Sequence, residues 1–143
     1  GAIPPLIGWV GGGGDWLAWG GWFLFWLLFF WQLPHFVAIS WLCREEYENA
    51  GYQMWSNGDG SGCKTSKLFV GFSICLILLV ISGAATGLFP LWVAVSHTAL
   101  VVYLMRPVLT YGASGERGPM RKAFLGTLLY LPLVLVGLAF TWT

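Results

Sequence analysis

Four stretches of this sequence contain no Asp, Glu, Lys or Arg and are long enough to cross a lipid bilayer. They cover residues 16–43, 68–85, 88–105 and 123–143. A spanning helix needs roughly 20 predominantly apolar residues, and a backbone in lipid must satisfy its own hydrogen bonds. The sequence therefore predicts an all-α integral membrane protein with four transmembrane helices.

Composition supports this prediction and excludes other classes. Only 9% of the 143 residues are charged, 57% are hydrophobic, and the mean hydropathy is +0.73. Soluble domains average about 25% charged residues, so the charges here are too few to cover a water-exposed surface. The net charge of +1 gives no support for nucleic-acid binding. Cys43, Cys63 and Cys75 fit no metal-binding or disulfide spacing.

The segments outside the apolar stretches have distinct characters. Residues 1–15 are too rich in Gly and Pro to span as a regular helix, and could be the tail of an earlier one. The first apolar stretch is long, so it must tilt, kink or project from the bilayer, and Pro34 supplies a kink. Residues 44–67 are predicted to form an acidic helical extension followed by a flexible loop, and residues 106–122 a basic loop.

The basic residues predict an orientation. Every Lys and Arg lies within 44–67 or 106–122, whereas the opposite side carries Asp15 and the termini. Four spans place both segments on one side, as the positive-inside rule requires. We expect both segments to face the cytoplasm of a bacterium, or the matrix if the protein lies in the mitochondrial inner membrane.

The acidic end of the first span suggests a chemistry. Glu45, Glu46 and Glu48 follow Arg44 directly, and Mg²⁺ binds one or two carboxylates together with substrate phosphate oxygens and water. On a continuous helix, His35 would share a face with Glu46, about 16 Å away. A diphosphate could be held at the interface with its hydrocarbon tail in the membrane, which is the logic of a membrane prenyltransferase.

Plainer interpretations stay open. Three Glu at a helix end often form only a solvated face, with Arg44 and Glu48 as an ordinary i,i+4 pair. An ionisable residue within a membrane span is a functional hypothesis by default, yet His35 could instead be a hydrogen-bonded structural residue. A structural role is favoured for His97. The basic residues of 106–122 could meet a diphosphate or serve only as an orientation signal.

Four blocks of the sequence resemble one family. They are GAIPPLIGW at residues 1–9, WQLPHFVAISW at 31–41, REEYENAGYQM at 44–54 and AFLGTLLYLPLVL at 123–135. In order and spacing they are similar to the haem O synthases (protoheme IX farnesyltransferases), which belong to the UbiA-type intramembrane prenyltransferases. The resemblance covers essentially the whole chain. The GY-x-M form at residues 51–54 is more similar to mitochondrial members, which implies the mitochondrial inner membrane with residues 44–67 and 106–122 on the matrix side, and the bacterial inner membrane as second choice.

The resemblance implies a fold and a reaction. The chain would correspond to the C-terminal four-span part of a nine-helix UbiA fold, whose members transfer farnesyl from farnesyl diphosphate to haem B with help from Mg²⁺. Glu46 would occupy the Asp position of the second acidic motif, with Glu45 and Tyr47 beside it. These three would be the catalytic residues, and Glu46 and Glu45 would hold Mg²⁺ through the diphosphate. His35 would occupy a haem-facing position, with haem as substrate.

The first acidic motif of that family has no counterpart in this sequence, so the chain alone is expected to be inactive. It would be a fragment or half of a split enzyme, needing an N-terminal half. The alternative is an inactive relative kept as a structural subunit of a respiratory membrane complex. Either would place a membrane protein partner against the polar face formed by Gln32, His35 and Glu46, because polar groups exposed to lipid are costly.

Overall fold

The computed structural model describes residues 1–142 and contains helices but no strands in that range. The six helices are α1 (Ile3–Gly11), α2 (Trp19–Leu42), α3 (Arg44–Asn49), α4 (Cys63–Ala85), α5 (Leu91–Tyr111) and α6 (Arg117–Thr141). Helices α2, α4, α5 and α6 are long and apolar enough to cross a membrane. The predicted all-α fold with four candidate membrane-spanning helices is confirmed.

The four long helices form a bundle in which each packs against two others. Helix α2 contacts α4 and α6, and α5 contacts the same two helices from the other side. The bundle interior is filled by large apolar side chains, with Phe23, Leu27, Phe69 and Val134 among those almost completely buried. Burial of such side chains adds van der Waals packing, which is the main attraction between helices when the surroundings are lipid.

The helices extend further into the basic segments than the sequence predicted. Helix α4 begins at Cys63 rather than at 68, and α5 continues to Tyr111. Helix α6 begins at Arg117, so the predicted basic loop 106–122 shrinks to 112–116. Lys and Arg are good helix formers, and their long stems let the charged end reach the interface. The first charge after an apolar stretch is therefore a poor marker of a helix end.

The N-terminal segment is helical despite its prolines. Helix α1 has proline in its first turn, where the backbone N–H has no intrahelical partner to lose. Its nine residues are too few to cross a bilayer. Trp9 from this helix lies against α2 at Gly20 and Gly21, where an added Cβ would come within 2.8 and 2.7 Å of the indole.

The loop before α4 and the loop between α5 and α6 meet at one end of the bundle. The Gly115 amide donates to the Ser61 carbonyl at 3.0 Å, and the backbone of Gly62 lies directly against the carbonyl of Gly112. All seven Lys and Arg residues lie in these connections or on the helix ends that adjoin them. The membrane side on which this end lies stays a prediction.

The opposite end is closed by aromatic residues. The rings of Trp9 and Trp142 are 5.9 Å apart, and Phe23 lies 6.1 Å from Trp142. The Trp19 indole donates to the Thr86 hydroxyl at 3.0 Å. These contacts join α1, the turn between α4 and α5, and the end of α6.

The loop after α3 was predicted to be flexible, yet it is anchored to α2 at two points. The Ser56 hydroxyl donates to the Ser40 carbonyl at 2.8 Å, and the Trp41 indole donates to the Asp59 carbonyl at 2.7 Å. Ser56 and Asp59 are both buried. Small polar residues predict turns, but they do not reveal that a turn will be folded back against a neighbouring helix.

Candidate functional site

His35 lies among aromatic rings at the interface of α2 and α6. Its imidazole stacks on Trp31, one turn earlier in α2, with ring centroids 5.2 Å apart and planes inclined by 18°. On its other face it stacks on Phe124 of α6 at 4.8 Å and 24°. Pro34 lies within α2 without ending it. The ring is half-buried, so it is held in a fixed plane yet still reaches the surface of the bundle.

A hydrogen-bond network determines which nitrogen of His35 carries the proton. His35 Nδ1 is 2.9 Å from the Thr127 hydroxyl. That hydroxyl donates its single proton to the Phe124 carbonyl at 2.6 Å, so it can only accept from His35. His35 Nδ1 is therefore assigned as the donor, and in the neutral form of the ring Nε2 would keep its lone pair. Nε2 makes no hydrogen bond to any residue from 1 to 142.

Trp31 completes this arrangement from the same helix. Its indole donates to the backbone carbonyl of Thr127 at 2.7 Å. Thr127 thus receives one hydrogen bond from Trp31 and another from His35, both across the α2–α6 interface. A neutral imidazole with one nitrogen bound to the protein and the other open is the usual state of a histidine that ligates a metal.

The acidic motif does not lie on a continuation of α2. The helix ends at Leu42, and Cys43 adopts φ −106° and ψ 25°, outside the helical range, before α3 begins. The uninterrupted helix on which His35 and Glu46 share a face is therefore absent. The two side chains belong to separate helices, and their relative placement is decided at Cys43.

The three carboxylates of α3 have different surroundings. Glu45 pairs with Arg44 at 3.6 Å, and Glu48 accepts from the Gly58 amide at 3.2 Å. The side chain of Glu46 is exposed and has neither an ion pair nor a hydrogen bond within residues 1–142. The Arg44–Glu48 pair considered from the sequence does not form, because Arg44 lies over the Trp41 ring at 4.3 Å instead.

Among the three carboxylates of α3, Glu46 is thus the one available for a ligand. A single carboxylate suits a metal ion that takes most of its ligands from water and substrate. In the described part of the chain, no three His, Cys, Asp or Glu side chains are grouped to hold an ion. A protein-only metal cage does not fit these residues. A Mg²⁺ that takes one carboxylate and fills its shell with water and diphosphate oxygens does fit them. Tyr47 is half-buried beside Glu46, with its ring against that of Tyr52 at 6.2 Å.

Two arginines bind the C-terminal end of α2. Arg44 donates to the Trp41 carbonyl at 3.0 Å, and Arg117 from α6 donates to the Leu42 carbonyl. The last carbonyls of a helix lack intrahelical partners and carry partial negative charge. In this structure Arg117 therefore binds backbone next to the acidic helix, and it joins α6 to the point where α2 ends.

His97 lies apart from this site. It is buried, and its ring is 6.4 Å from that of Tyr130 on α6. Neither His97 Nδ1 nor the Tyr130 hydroxyl has a hydrogen-bond partner in the part of the chain described. The structural role favoured for His97 stays a prediction.

Sequence reasoning missed Thr127 and Phe124. Thr127 is a polar residue near the start of an apolar stretch, which could have marked it as a candidate. Nothing in the spacing connects it with His35, which lies 92 positions away. The pairing depends on how α2 packs against α6.

Comparison with known proteins identifies the family of this sequence. Residues 1–129 match the family described as the UbiA prenyltransferase family. The chain is 40% identical to a protoheme IX farnesyltransferase of Anaeromyxobacter dehalogenans, over 96% of this chain and 46% of that protein. It is 33% identical to the mitochondrial protoheme IX farnesyltransferase of Arabidopsis thaliana, over 96% of this chain and 32% of the relative.

A human relative shows the same pattern of coverage. The mitochondrial protoheme IX farnesyltransferase of Homo sapiens is 37% identical over 95% of this chain and 30% of its own length. The chain thus spans less than half the length of these three relatives. No solved structure matches it.

Proposed function

The chain belongs to the UbiA prenyltransferase family, and on that premise we propose that it forms part of the site of a haem O synthase. This enzyme would transfer farnesyl from farnesyl diphosphate to haem B. The observation that carries the proposal is the half-buried His35 imidazole, whose Nδ1 is bound by Thr127 while Nε2 makes no hydrogen bond within residues 1–142. The similarity to protoheme IX farnesyltransferases supports the choice of substrates.

In this proposal His35 orients the haem. A neutral imidazole nitrogen is a common axial ligand of haem iron, and Trp31 and Phe124 hold the ring plane on both faces. The porphyrin edge would then lie along the aromatic side of α2. Half-buried Phe and Trp rings line that side and give it an apolar character suited to a farnesyl chain.

Glu46, with Glu45 and Tyr47 beside it, would face the diphosphate. Glu46 would hold Mg²⁺ through its carboxylate, and the metal, when bound, would neutralise charge on the departing diphosphate. Glu45 is partly neutralised by Arg44, so its role would be to set the local charge. Exposure of Glu46 at the end of the bundle leaves room for a polar headgroup outside the membrane.

Activity would require acidic residues that residues 1–142 do not contain. These residues offer one unpaired carboxylate at the site, whereas the proposed enzyme clamps its diphosphate between two acidic motifs. We therefore expect the rest of a UbiA fold to lie against the face of the bundle that carries His35. The proposed location is the mitochondrial inner membrane, with the α3 end of the bundle on the matrix side.

Complementation tests the proposal. The chain would be produced in bacterial membranes that lack haem O synthase, alone and joined to the N-terminal spans of the Anaeromyxobacter relative, and haem O would be measured by liquid chromatography. We expect haem O from the joined protein only. Glu46→Gln should lower its yield by at least 10²-fold, whereas Glu48→Gln, two residues later on the same helix, should lower it by less than about threefold.

Two results would contradict the proposal. Equal losses for Glu46→Gln and Glu48→Gln would remove Glu46 from the reaction. A joined protein that folds, binds no haem and co-purifies only with respiratory-complex subunits would favour the structural role instead.

A further inference from the structure

A cleft of the molecule lies away from His35 and from α3. It has a volume of about 690 Å³ and opens between the end of α5 and the start of α6. Its polar lining includes Arg106, Glu116 and Lys122, and its apolar lining includes Tyr103, Leu104 and Pro107. None of the residues placed in the farnesyl-transfer site lines it. The cleft is therefore a separate feature that the proposed reaction does not use.

The charges of the cleft suit a ligand with one negative charge. Arg106 and Lys122 contribute two positive charges and Glu116 one negative charge, which leaves a net charge of +1. Neither cation forms an ion pair or donates a side-chain hydrogen bond within residues 1–142, and both are exposed. Glu116 is also unpaired in this range, so the two cations remain available for an anion.

An apolar surface continues from the cleft along both helices. On α6, Leu125 and Leu129 follow Lys122 at helical spacing and are 47% and 68% exposed. On α5, Val102 and Tyr103 precede Arg106 and are 46% and 64% exposed. A cationic end that leads onto an exposed apolar strip matches the two parts of a membrane lipid. Tyrosine is also a common residue at headgroup depth.

We propose that this cleft binds one anionic phospholipid. The phosphate would lie between Arg106 and Lys122, and an acyl chain would follow the α5–α6 groove past Leu125 and Leu129. Basic pockets between membrane helices at the cytoplasmic or matrix face bind such headgroups. A phosphodiester carries a single negative charge and so matches the net charge of the cleft, whereas a diphosphate carries more. The inference does not depend on the proposed function.

The test compares lipid retention by variants of the chain. The protein would be purified in detergent, exposed to an equimolar mixture of phosphatidylglycerol and phosphatidylcholine, and examined by native mass spectrometry. We expect one phosphatidylglycerol to be retained in preference to phosphatidylcholine. The double variant Arg106→Gln/Lys122→Gln should lower this preference about tenfold, since each basic residue near an anionic lipid surface contributes measurably to binding.

A matched double variant distinguishes lipid binding in this cleft from a general attraction of anionic lipid to the positive charges at this end of the bundle. Lys64→Gln/Arg121→Gln removes the same two charges from the same end of the bundle, outside the cleft, and should change the preference by less than about twofold. The charge-conserving variant Arg106→Lys/Lys122→Arg should keep the preference. If circular dichroism shows that the charge-removing variant does not fold, this charge-conserving variant still tests whether positive charge at these two positions is sufficient for the preference.

Three results would overturn the proposal. The first is an equal loss of preference in the two charge-removing variants. The second is the absence of any phosphatidylglycerol preference in the folded wild-type chain. The third is displacement of the lipid by micromolar inorganic diphosphate, which would make the cleft a substrate-diphosphate site.

Discussion

The imidazole of His35 is held by side chains from two helices. Trp31 and Phe124 fix its plane, and Thr127 fixes its rotation through Nδ1. Because the Thr127 proton is committed to the Phe124 carbonyl, the hydroxyl can only accept from the ring. The result is one imidazole nitrogen pre-oriented outward, without a cost in rotamer freedom when a ligand arrives.

Thr127 should therefore control ligation by His35. Thr127→Val keeps the shape of the side chain but removes the acceptor, so the ring loses its orienting partner. Substitutions of such supporting groups lower metal affinity by about 10- to 100-fold, and we expect haem B binding to weaken by at least tenfold. The measurement is titration of the chain with haem B, followed by absorbance.

Thr127→Ser, which retains the hydroxyl, is the control and should bind haem within about threefold of wild type. If Thr127→Val also binds as wild type does, Thr127 has no positioning role. If His35→Ala binds haem unchanged, His35 is not the ligand.

At the scale of elements, the start of α4 depends on a residue outside it. Gly62 precedes the helix and has no side chain to cap it. Asp59 supplies the cap: its carboxylate accepts from the amides of Lys64 and Thr65 at 3.3 and 2.8 Å and from the Thr65 hydroxyl at 2.7 Å. Burial acts to raise the pKa of Asp59, but these hydrogen bonds and the Lys64 charge outweigh it and hold the pKa below its ordinary value.

This cap predicts an acid-dependent stability. A carboxylate with a lowered pKa stabilises the fold above its unfolded pKa, ordinarily 3.8, and the contribution is lost as the pH falls through the folded pKa. Asp59→Asn should lower the free energy of unfolding by about 1 kcal/mol at neutral pH. It should also flatten the decline below about pH 4, which thermal unfolding followed by circular dichroism would detect.

Glu45→Gln is the control at the same end of the bundle, because its pairing with Arg44 is largely exposed and surface pairs contribute little. It should leave both the midpoint and the pH dependence nearly unchanged. An Asp59→Asn protein with wild-type acid sensitivity would show that the cap does not titrate as described.

At the scale of the whole molecule, the loop before α4 and the loop between α5 and α6 must touch for the bundle to close at its charged end. Gly62 makes this possible. It has φ +76°, and a Cβ there would lie 2.6 Å from the Gly112 carbonyl oxygen and 3.2 Å from the Trp41 ring. Glycine is required both for the left-handed backbone and for the close approach.

A pair of alanine substitutions separates these two requirements. Gly58 also has a positive φ, +71°, but an added Cβ would meet no atom within 4 Å. Gly58→Ala should cost about 1 kcal/mol, the backbone strain alone. Gly62→Ala should cost about 3 kcal/mol because strain and clash add. Equal losses in thermal unfolding would show that the connections are not tightly packed at Gly62.

The sequence by itself determined the helical class, the four spans and the family. Apolar length fixes these spans because a backbone in lipid has no alternative to internal hydrogen bonding. The choice of His35 as a candidate also came from the sequence, since ionisable residues within membrane spans are rare. Glu46 was chosen because the family resemblance places it in the second acidic motif. Their roles stay predictions.

Tertiary structure decided the partners and the boundaries. Thr127 reaches His35 only because α6 packs on α2, and Asp59 caps α4 only because its loop folds back onto Trp41. The break at Cys43, which separates Glu46 from the His35 helix, has no local sequence signal. These features depend on contacts between residues far apart in the chain, and neither hydrophobic periodicity nor charge count records which helix faces meet.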